Sequence, residues 1–156
     1  MKKMDSNILE PRDKKSSNYY LDKSMEEMKE YIEKYSEKIR EYVWIMKKYE
    51  GIVIYGSGNI GKSVFDLIEP RKYLKFHGFA VSSEKPEGTA RGRKIYCINQ
   101  YLDRKDKALL VIAGEKRISD EMEETARKLG FKNRLIINEE LIDTINFAIV
   151  NDKFAM

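Results

Sequence analysis

The chain of 156 residues contains one cysteine, one histidine and three prolines. A single cysteine excludes an internal disulfide and a zinc site made of several thiolates. No segment approaches the ~18 consecutive apolar residues that a membrane-spanning helix needs. The N-terminal residues are basic, but they lack the apolar segment and the cleavage site of a secretory signal. The sequence therefore predicts a cytoplasmic protein with no structural metal site.

The lone cysteine and the lone histidine are both expected to have structural roles. Cys97 has no identifiable partner that would activate its thiol, so a buried packing role is predicted. His77 lies in the alternating run 75–81, which is typical of a strand. A general base needs an orienting partner, and the sequence offers none for this histidine. No catalytic residue is predicted.

Charged residues make up 36% of the chain, and the positive excess falls on residues 51–100, which hold 8 basic and 4 acidic side chains. Five of these basic residues are suitable counter-charges for a phosphorylated ligand, with a solvated basic face as the alternative interpretation. A nucleic-acid binder would more often show a continuous basic stripe or a known module, so nucleic acid is not the expected partner. The five residues are Lys62, Lys85, Arg91, Arg93 and Lys94.

The most informative motif is the hexapeptide Gly-Ser-Gly-Asn-Ile-Gly at residues 56–61, which directly follows the apolar run 52–55. A strand that ends in a glycine-rich turn and opens a helix is the context of a dinucleotide-binding fingerprint. Gly56 would allow the tight turn, Gly58 would let the backbone approach a pyrophosphate, and Gly61 would allow close packing of helix on strand. The N–H groups that begin the helix would bind an anion. Alternatively, the turn serves backbone geometry alone and the anion site is vestigial.

Strands and helices alternate along the rest of the chain. The segment 108–113 is uniformly apolar, which predicts a central strand that is covered on both faces. The alternation predicts an α/β fold with a small Rossmann-like parallel sheet, right-handed crossovers and helices on both faces. Strands are predicted at residues 52–55, 75–82, 94–98, 108–113 and 134–137, a loop with three turn residues at Pro86, Gly88 and Gly92, a helical turn at 99–102, and helices after the glycine turn, at 119–129 and at 139–150.

The N-terminal part has a different composition. Residues 1–23 mix charge with Ser, Asn and Pro, and are predicted to form a flexible arm. Residues 24–50 are predicted to form an amphipathic helix that begins at a capping box of Ser24 and Glu27. Its apolar seam either packs along the domain of residues 51–156 or associates with another copy or a partner protein. The seam consists of Met25, Met28, Ile32, Tyr35, Ile39, Tyr42, Met46 and Tyr49.

The core of the chain resembles a family of small Rossmann-like domains found in bacterial surface-polysaccharide enzymes. Such domains occur at the N-terminus of sugar-nucleotide acetyltransferases of the left-handed β-helix type, and beside glycosyltransferase or methyltransferase domains. The same outline is similar to that of NAD-sensing and CoA-binding Rossmann domains. The stretches that carry the resemblance are 52–68, 76–83, 92–102, 108–131 and 133–138, a little over half of the chain.

The resemblance implies a nucleotide-binding site on the glycine turn, because in the acetyltransferase relatives this turn lies against a nucleotide-sugar or its phosphates. It also implies that Ser82 and Ser83 lie near the nucleoside, and Lys85 belongs to a basic loop, 85–94, that would cover the ligand. A dinucleotide site would place Asp or Glu where these serines stand, so a nucleotide-sugar or UDP-like nucleotide is favoured over NAD. The implicated turn residues are Gly56, Ser57, Gly58, Asn59, Ile60 and Gly61.

Three functions are compatible with these observations. The leading hypothesis is a non-catalytic nucleotide or nucleotide-sugar binding domain that serves bacterial surface-polysaccharide biosynthesis, as a homo-oligomer or with a partner enzyme bound through the helix 24–49. The second is an oligomerisation scaffold with a vestigial nucleotide site. The third is an NAD(P)-linked oxidoreductase or NAD sensor, although no motif places a proton donor beside a nicotinamide.

Overall fold

The computed structural model describes the backbone of residues 14–151 and, with a few gaps, the side chains of residues 24–149. The chain divides into two compact units, residues 1–35 and residues 36–156. The first thirteen residues of the predicted arm 1–23 and the last five residues of the chain lie outside the described part.

Helix α1 spans Lys14–Met46, so it begins before the predicted capping box at Ser24. A serine and a glutamate three residues apart are both tolerated inside a helix, which is why the pair does not mark an end here. The last part of α1, from residue 36, belongs to the second unit. In that part the seam residues Ile39 and Met46 are buried, as is Val43 beside the seam.

The remaining elements follow the predicted order. After α1 come β1 (Ile52–Tyr55), α2 (Asn59–Ile68), β2 (Phe76–Val81), β3 (Thr89–Ala90), β4 (Arg93–Cys97), a 3₁₀ helix (Ile98–Arg104), β5 (Leu109–Ala113), α3 (Lys116–Leu129), β6 (Arg134–Ile137), a 3₁₀ turn (Glu139–Leu141) and α4 (Ile142–Asn151).

The six strands form a single sheet in the order β3-β4-β2-β1-β5-β6. All neighbouring strands run parallel except β3, which pairs with β4 in the antiparallel direction. The central position predicted for residues 108–113 is confirmed, because β5 lies between β1 and β6 and every residue of β5 is buried. The α/β class with a mostly parallel sheet is therefore as predicted.

The antiparallel strand β3 is a correction to the fully parallel sheet that the sequence suggested. Ala90 pairs with Arg93, and Arg91 and Gly92 between them have φ values of 50° and 77°. Positive φ at both central residues is the signature of a tight two-residue hairpin. The hairpin was missed because a two-residue strand has no period to detect and Arg-Gly is not the usual turn pair.

Strand β2 contains a bulge at His77. Ile52 of β1 pairs with Phe76, but the next residue, Val53, pairs with Gly78, so β2 has one extra residue between them. A bulge bends the strand and changes the direction of the side chains beside it. The predicted strand at residues 75–82 is therefore correct in position but irregular in its alternation.

Helices cover both faces of the sheet. On one face Val53 and Tyr55 belong to a buried cluster with Ala126 of α3. On the other face the backbone of Gly61 in α2 approaches Ile54, whose Cγ2 would lie 3.5 Å from a Cβ at that glycine. Because all four residues of β1 are buried, the sheet centre is closed to solvent on both sides. In the described part of the chain, no helix has the length and apolar character needed to cross a bilayer.

Candidate functional site

The glycine turn lies at the carboxyl end of β1, at the centre of the sheet. The chain leaves β1 through α2 towards β2, whereas it leaves the neighbouring β5 through α3 towards β6. The two connections therefore diverge at the adjacent ends of β1 and β5. Ligands of open α/β sheets bind in the crevice outside such a divergence point. The strand, turn and helix predicted around residues 52–68 are thus present where a ligand site is expected.

Two of the three motif glycines are required by the packing of the protein itself. Gly56 has a φ of 127°, and a Cβ at this position would lie 2.1 Å from the carbonyl oxygen of Ala113. A Cβ at Gly61 would lie 2.1 Å from the carbonyl oxygen of Gly56. Both distances are far below van der Waals contact with backbone atoms. These two residues therefore have the turn and packing roles predicted for them.

Gly58 is different, because no atom of the protein requires a glycine there. Its φ of −80° and ψ of −160° suit any residue. A Cβ at this position would meet no atom within 4 Å. The space beside Gly58 is therefore open rather than filled by side chains of the protein.

The backbone amides around Gly58 form the N-terminus of α2. Gly58 is the N-cap residue and has no side chain to accept from them. Within residues 14–151, the N–H groups of Ser57, Gly58, Asn59 and Ile60 donate to no backbone or side-chain acceptor. Such groups carry the positive end of the helix dipole and point out of the helix end. This arrangement is suited to an anion.

The neighbouring helix α3 shows how the protein satisfies a similar end with its own carboxylate. The backbone N–H of Lys116 donates to Oε1 of Glu139, at 2.7 Å. This hydrogen bond lowers the pKa of Glu139 below its usual range. Glu139 follows β6 and has no sequence signal that would have revealed this contact. Of the two adjacent helix ends, only α2 lacks a carboxylate partner among the described residues.

The predicted nucleoside residues lie at the carboxyl end of β2. Ser82 and Ser83 are exposed, and the Ser82 hydroxyl hydrogen-bonds the hydroxyl of Tyr55 in β1. The bond joins the ends of the two strands beside the turn, and Tyr55 is a participant that the sequence did not single out. A serine hydroxyl has one donor and two acceptor positions, so Ser82 keeps capacity for a further partner. Glu84 and Lys85, which follow, are exposed.

The predicted counter-charges divide into two groups. Arg91 is committed to Asp66 of α2 through two hydrogen bonds, Nε to Oδ1 at 2.9 Å and Nη2 to Oδ2 at 2.7 Å. Arg93 lies over the rings of Phe65 and Phe76, and Lys94 over the ring of Tyr96. Lys62, in the first turn of α2, and Lys85 form no ion pair or ring contact with the described residues.

The turn residues differ in what they offer a ligand. The side chain of Ile60 is buried, so only its amide faces the site, whereas Gly58 and Asn59 are exposed and Ser57 is half-buried. The roles assigned to these residues and to Ser82, Ser83 and Lys85 stay predictions. Cys97 is buried and free, in agreement with its predicted packing role. Among the described residues, no cluster of His, Cys, Asp and Glu is arranged to hold a metal ion.

Comparison of the chain with models of protein families and with curated proteins finds no match.

Proposed function

We propose that the chain is a non-catalytic binding domain for a nucleotide or nucleotide-sugar, whose phosphates lie on the amides of residues 57–60. The single observation that carries this proposal is the open space at Gly58. Gly56 and Gly61 are explained by contacts within the protein, whereas no contact within the protein requires the third glycine of the motif, which leaves its backbone open to an approaching group. The lack of an acceptor for the surrounding amides supports the same conclusion.

The residues at the carboxyl end of β2 support one class of nucleotide over another. Dinucleotide sites use a carboxylate there to hold the ribose hydroxyls. The corresponding residues here are Ser82 and Ser83, and Ser82 is bonded to Tyr55. Hydroxyl groups favour a nucleotide held through single hydrogen bonds, so we propose UDP or a UDP-sugar rather than NAD.

The proposal is tested by the thermal midpoint of the protein with UDP, a UDP-sugar and NAD at equal concentrations. A ligand at 100 times its Kd stabilises the folded state by about 2.7 kcal/mol, which gives an easily measured rise. We expect UDP or the UDP-sugar to raise the midpoint more than NAD does. The Gly58→Leu variant should lose the response, because the leucine side chain fills the phosphate position, while its unliganded midpoint falls only by the loss of a favourable N-cap residue.

Lys128→Gln, on the exposed surface of α3, is the control and should respond as the original protein does. Equal responses of the original protein and Gly58→Leu would refute a site at the turn. No response to any of the three nucleotides would refute nucleotide binding altogether. A response to NAD alone would support a binding site but would show that its ligand is a dinucleotide and not UDP or a UDP-sugar.

We further propose that the part of α1 before residue 36 associates with a second copy or with a polysaccharide-synthesis enzyme. The later seam residues Ile39 and Met46 are buried. The support is the earlier part of the seam, together with the resemblance to domains of such enzymes. Its residues lie at steps of three and four and are Met25, Met28, Ile32 and Tyr35. Light scattering of the full chain and of a chain without residues 1–35 tests this proposal. A loss of molecular mass beyond the deleted residues is the expected result, and an unchanged oligomeric state contradicts it.

A further inference from the structure

A second cleft lies at the amino ends of the strands, at the opposite end of the sheet from the glycine turn. Its volume is about 240 Å³. Its residues precede β1, β2 and β5, end the 3₁₀ helix or, in the case of His77, lie at the beginning of β2. β1 separates the cleft from the turn by a rise of ~13 Å. Six of the seven lining residues carry ionisable groups. They are Glu50, Lys75, His77, Asp103, Arg104, Lys107 and Ala108.

The position of His77 in this cleft is fixed by two features of the backbone. His77 is the extra residue of the β2 bulge, an irregularity that is uncommon between parallel strands. Its ring lies against Gly51, where a Cβ would be 1.9 Å from Nε2. Only a glycine before β1 leaves room for the ring.

Arg104 contacts the His77 ring through Nη1. This atom is within hydrogen-bond distance of both ring nitrogens, at 3.4 Å from Nδ1 and from Nε2, and the tautomer of His77 decides which nitrogen accepts. Only Nη1 of the guanidinium group contacts the ring, and among the described residues no acceptor is bound to Nε or Nη2. These donors of Arg104 can therefore bind a further acceptor.

The cleft has an excess of positive charge. With His77 neutral, Lys75, Arg104 and Lys107 face two carboxylates, Glu50 and Asp103. Lys107 pairs with Glu50, Nζ to Oε2 at 3.8 Å. In the part of the chain that the structure describes, neither Lys75 nor Arg104 forms an ion pair. Two cations with unused donors therefore line a concave site.

We propose that this cleft is a second binding site, for a small oxyanion or the phosphate or carboxylate group of a small metabolite. Arg104 and Lys75 donate to the anion, and the bulge and Gly51 hold the His77 ring as the surface on which Arg104 is positioned. The volume is below the ~300 Å³ at which pockets for larger ligands begin, so the ligand is smaller than a nucleotide. This site is independent of the one at the glycine turn.

His77 gives the experiment a specific reporter, since the ring protons of a single histidine are resolved in an NMR spectrum. The full chain is titrated with sodium sulfate against sodium chloride at equal ionic strength. We expect a saturable shift of the His77 resonances and a rise in the His77 pKa, because a bound anion favours the protonated ring. Parallel titrations with inorganic phosphate and with citrate distinguish phosphoryl from carboxylate ligands.

Arg104→Gln and Lys75→Gln should each weaken the apparent sulfate affinity by about tenfold, since each removes a charge-assisted donor. Lys128→Gln makes the same charge change on α3 and should bind as the original protein does. The Gly58→Leu variant should also keep the His77 response, which separates this site from the nucleotide site. The proposal would be refuted if the His77 resonances shifted linearly with sulfate concentration, or if they shifted equally in Arg104→Gln and Lys128→Gln. The thermal midpoint of each variant confirms that it is folded.

Discussion

The rings of Phe76 and Phe79 lie on the same face of β2, with centroids 5.2 Å apart. Residues three apart in a regular strand point to opposite faces. The bulge at His77 removes this alternation, and both rings contact Phe65 of α2, at 4.9 Å and 5.6 Å between centroids. The bulge that places His77 in the second cleft therefore also brings Phe76 and Phe79 together against α2.

Deletion of His77 should be tolerated nearly as well as its substitution. Ile52 already pairs with Phe76 and Val53 with Gly78, so removal of the extra residue leaves a regular strand in which Phe76 and Phe79 are two residues apart and stay on one face. We therefore expect the deletion and His77→Gln each to change the free energy of unfolding by about 1 kcal/mol or less. Urea unfolding of the two variants measures the difference. A much larger loss in the deletion variant would show that the bulge itself stabilises the strand.

Gly51→Ala should displace the His77 ring from its position beside Arg104. The added Cβ would overlap Nε2, and the ring is the group that moves because a side chain yields more easily than the backbone. We expect the pKa of His77 to rise towards its ordinary value of 6.5, because burial and the charges of Arg104 and Lys75 lower it in the original protein. An NMR pH titration measures this, with Gly58→Ala as a control at an open position. An unchanged His77 pKa in Gly51→Ala would contradict the expected displacement.

Folding stability should fall as the pH decreases below about 6.5. Burial lowers the pKa of His77 in the folded state, Arg104 and Lys75 lower it further, and the Glu50 backbone and Asp103 oppose them. The unfolded chain therefore takes up the proton first, and the His77 contribution is complete above pH 6.5 and is lost as the pH falls through the folded pKa. The free energy of unfolding, measured with urea, should fall less between pH 7.5 and pH 5.5 in His77→Gln than in the original protein. An equal fall in both would show that other groups cause the pH dependence.

Replacement of the three motif glycines with alanine, one at a time, should lower the free energy of unfolding by different amounts. Gly56→Ala and Gly61→Ala place a Cβ against backbone oxygens, so each should lower the free energy of unfolding by about 2 kcal/mol or more. Gly58→Ala meets open space and loses only a favourable N-cap residue, so it should lower the free energy of unfolding by about 1 kcal/mol or less. Chemical unfolding without ligand tests the contrast. A large loss in Gly58→Ala would give that glycine a structural reason and remove the main support for the anion site.

Glu139→Gln should destabilise the protein at neutral pH, and the loss should become smaller as the pH falls below about 4.5. The hydrogen bond from the Lys116 amide lowers the Glu139 pKa, so its stabilising contribution is present above about 4.5 and is lost as the pH falls through the folded value. Glutamine keeps an acceptor but loses the charge that interacts with the helix dipole. Glu87→Gln, which alters an exposed loop, is the control. A deficit that persists at low pH would contradict this explanation.

Much of the sheet could be predicted because its strands are short apolar runs between glycines or charged residues. The predicted limits 52–55 and 134–137 coincide with β1 and β6. The glycine turn was also predicted, but the different reasons for its three glycines were not, because the atom that requires Gly56 belongs to Ala113, which is far from it in the sequence although its strand pairs with β1. The contact between Arg104 and His77 depends on a bulge, and no local pattern in residues 75–81 reveals one.

The burial of Ile39, Val43 and Met46 has a practical consequence for anyone who wishes to isolate the part of the chain that contains the sheet. A fragment trimmed to start at Gly51, the boundary that motif inspection suggests, would discard three side chains from the interior and leave apolar surface that invites precipitation. A cut near Ser36 keeps them. Expression trials and transplantation of this module into another protein should therefore carry the end of the first helix along with the sheet.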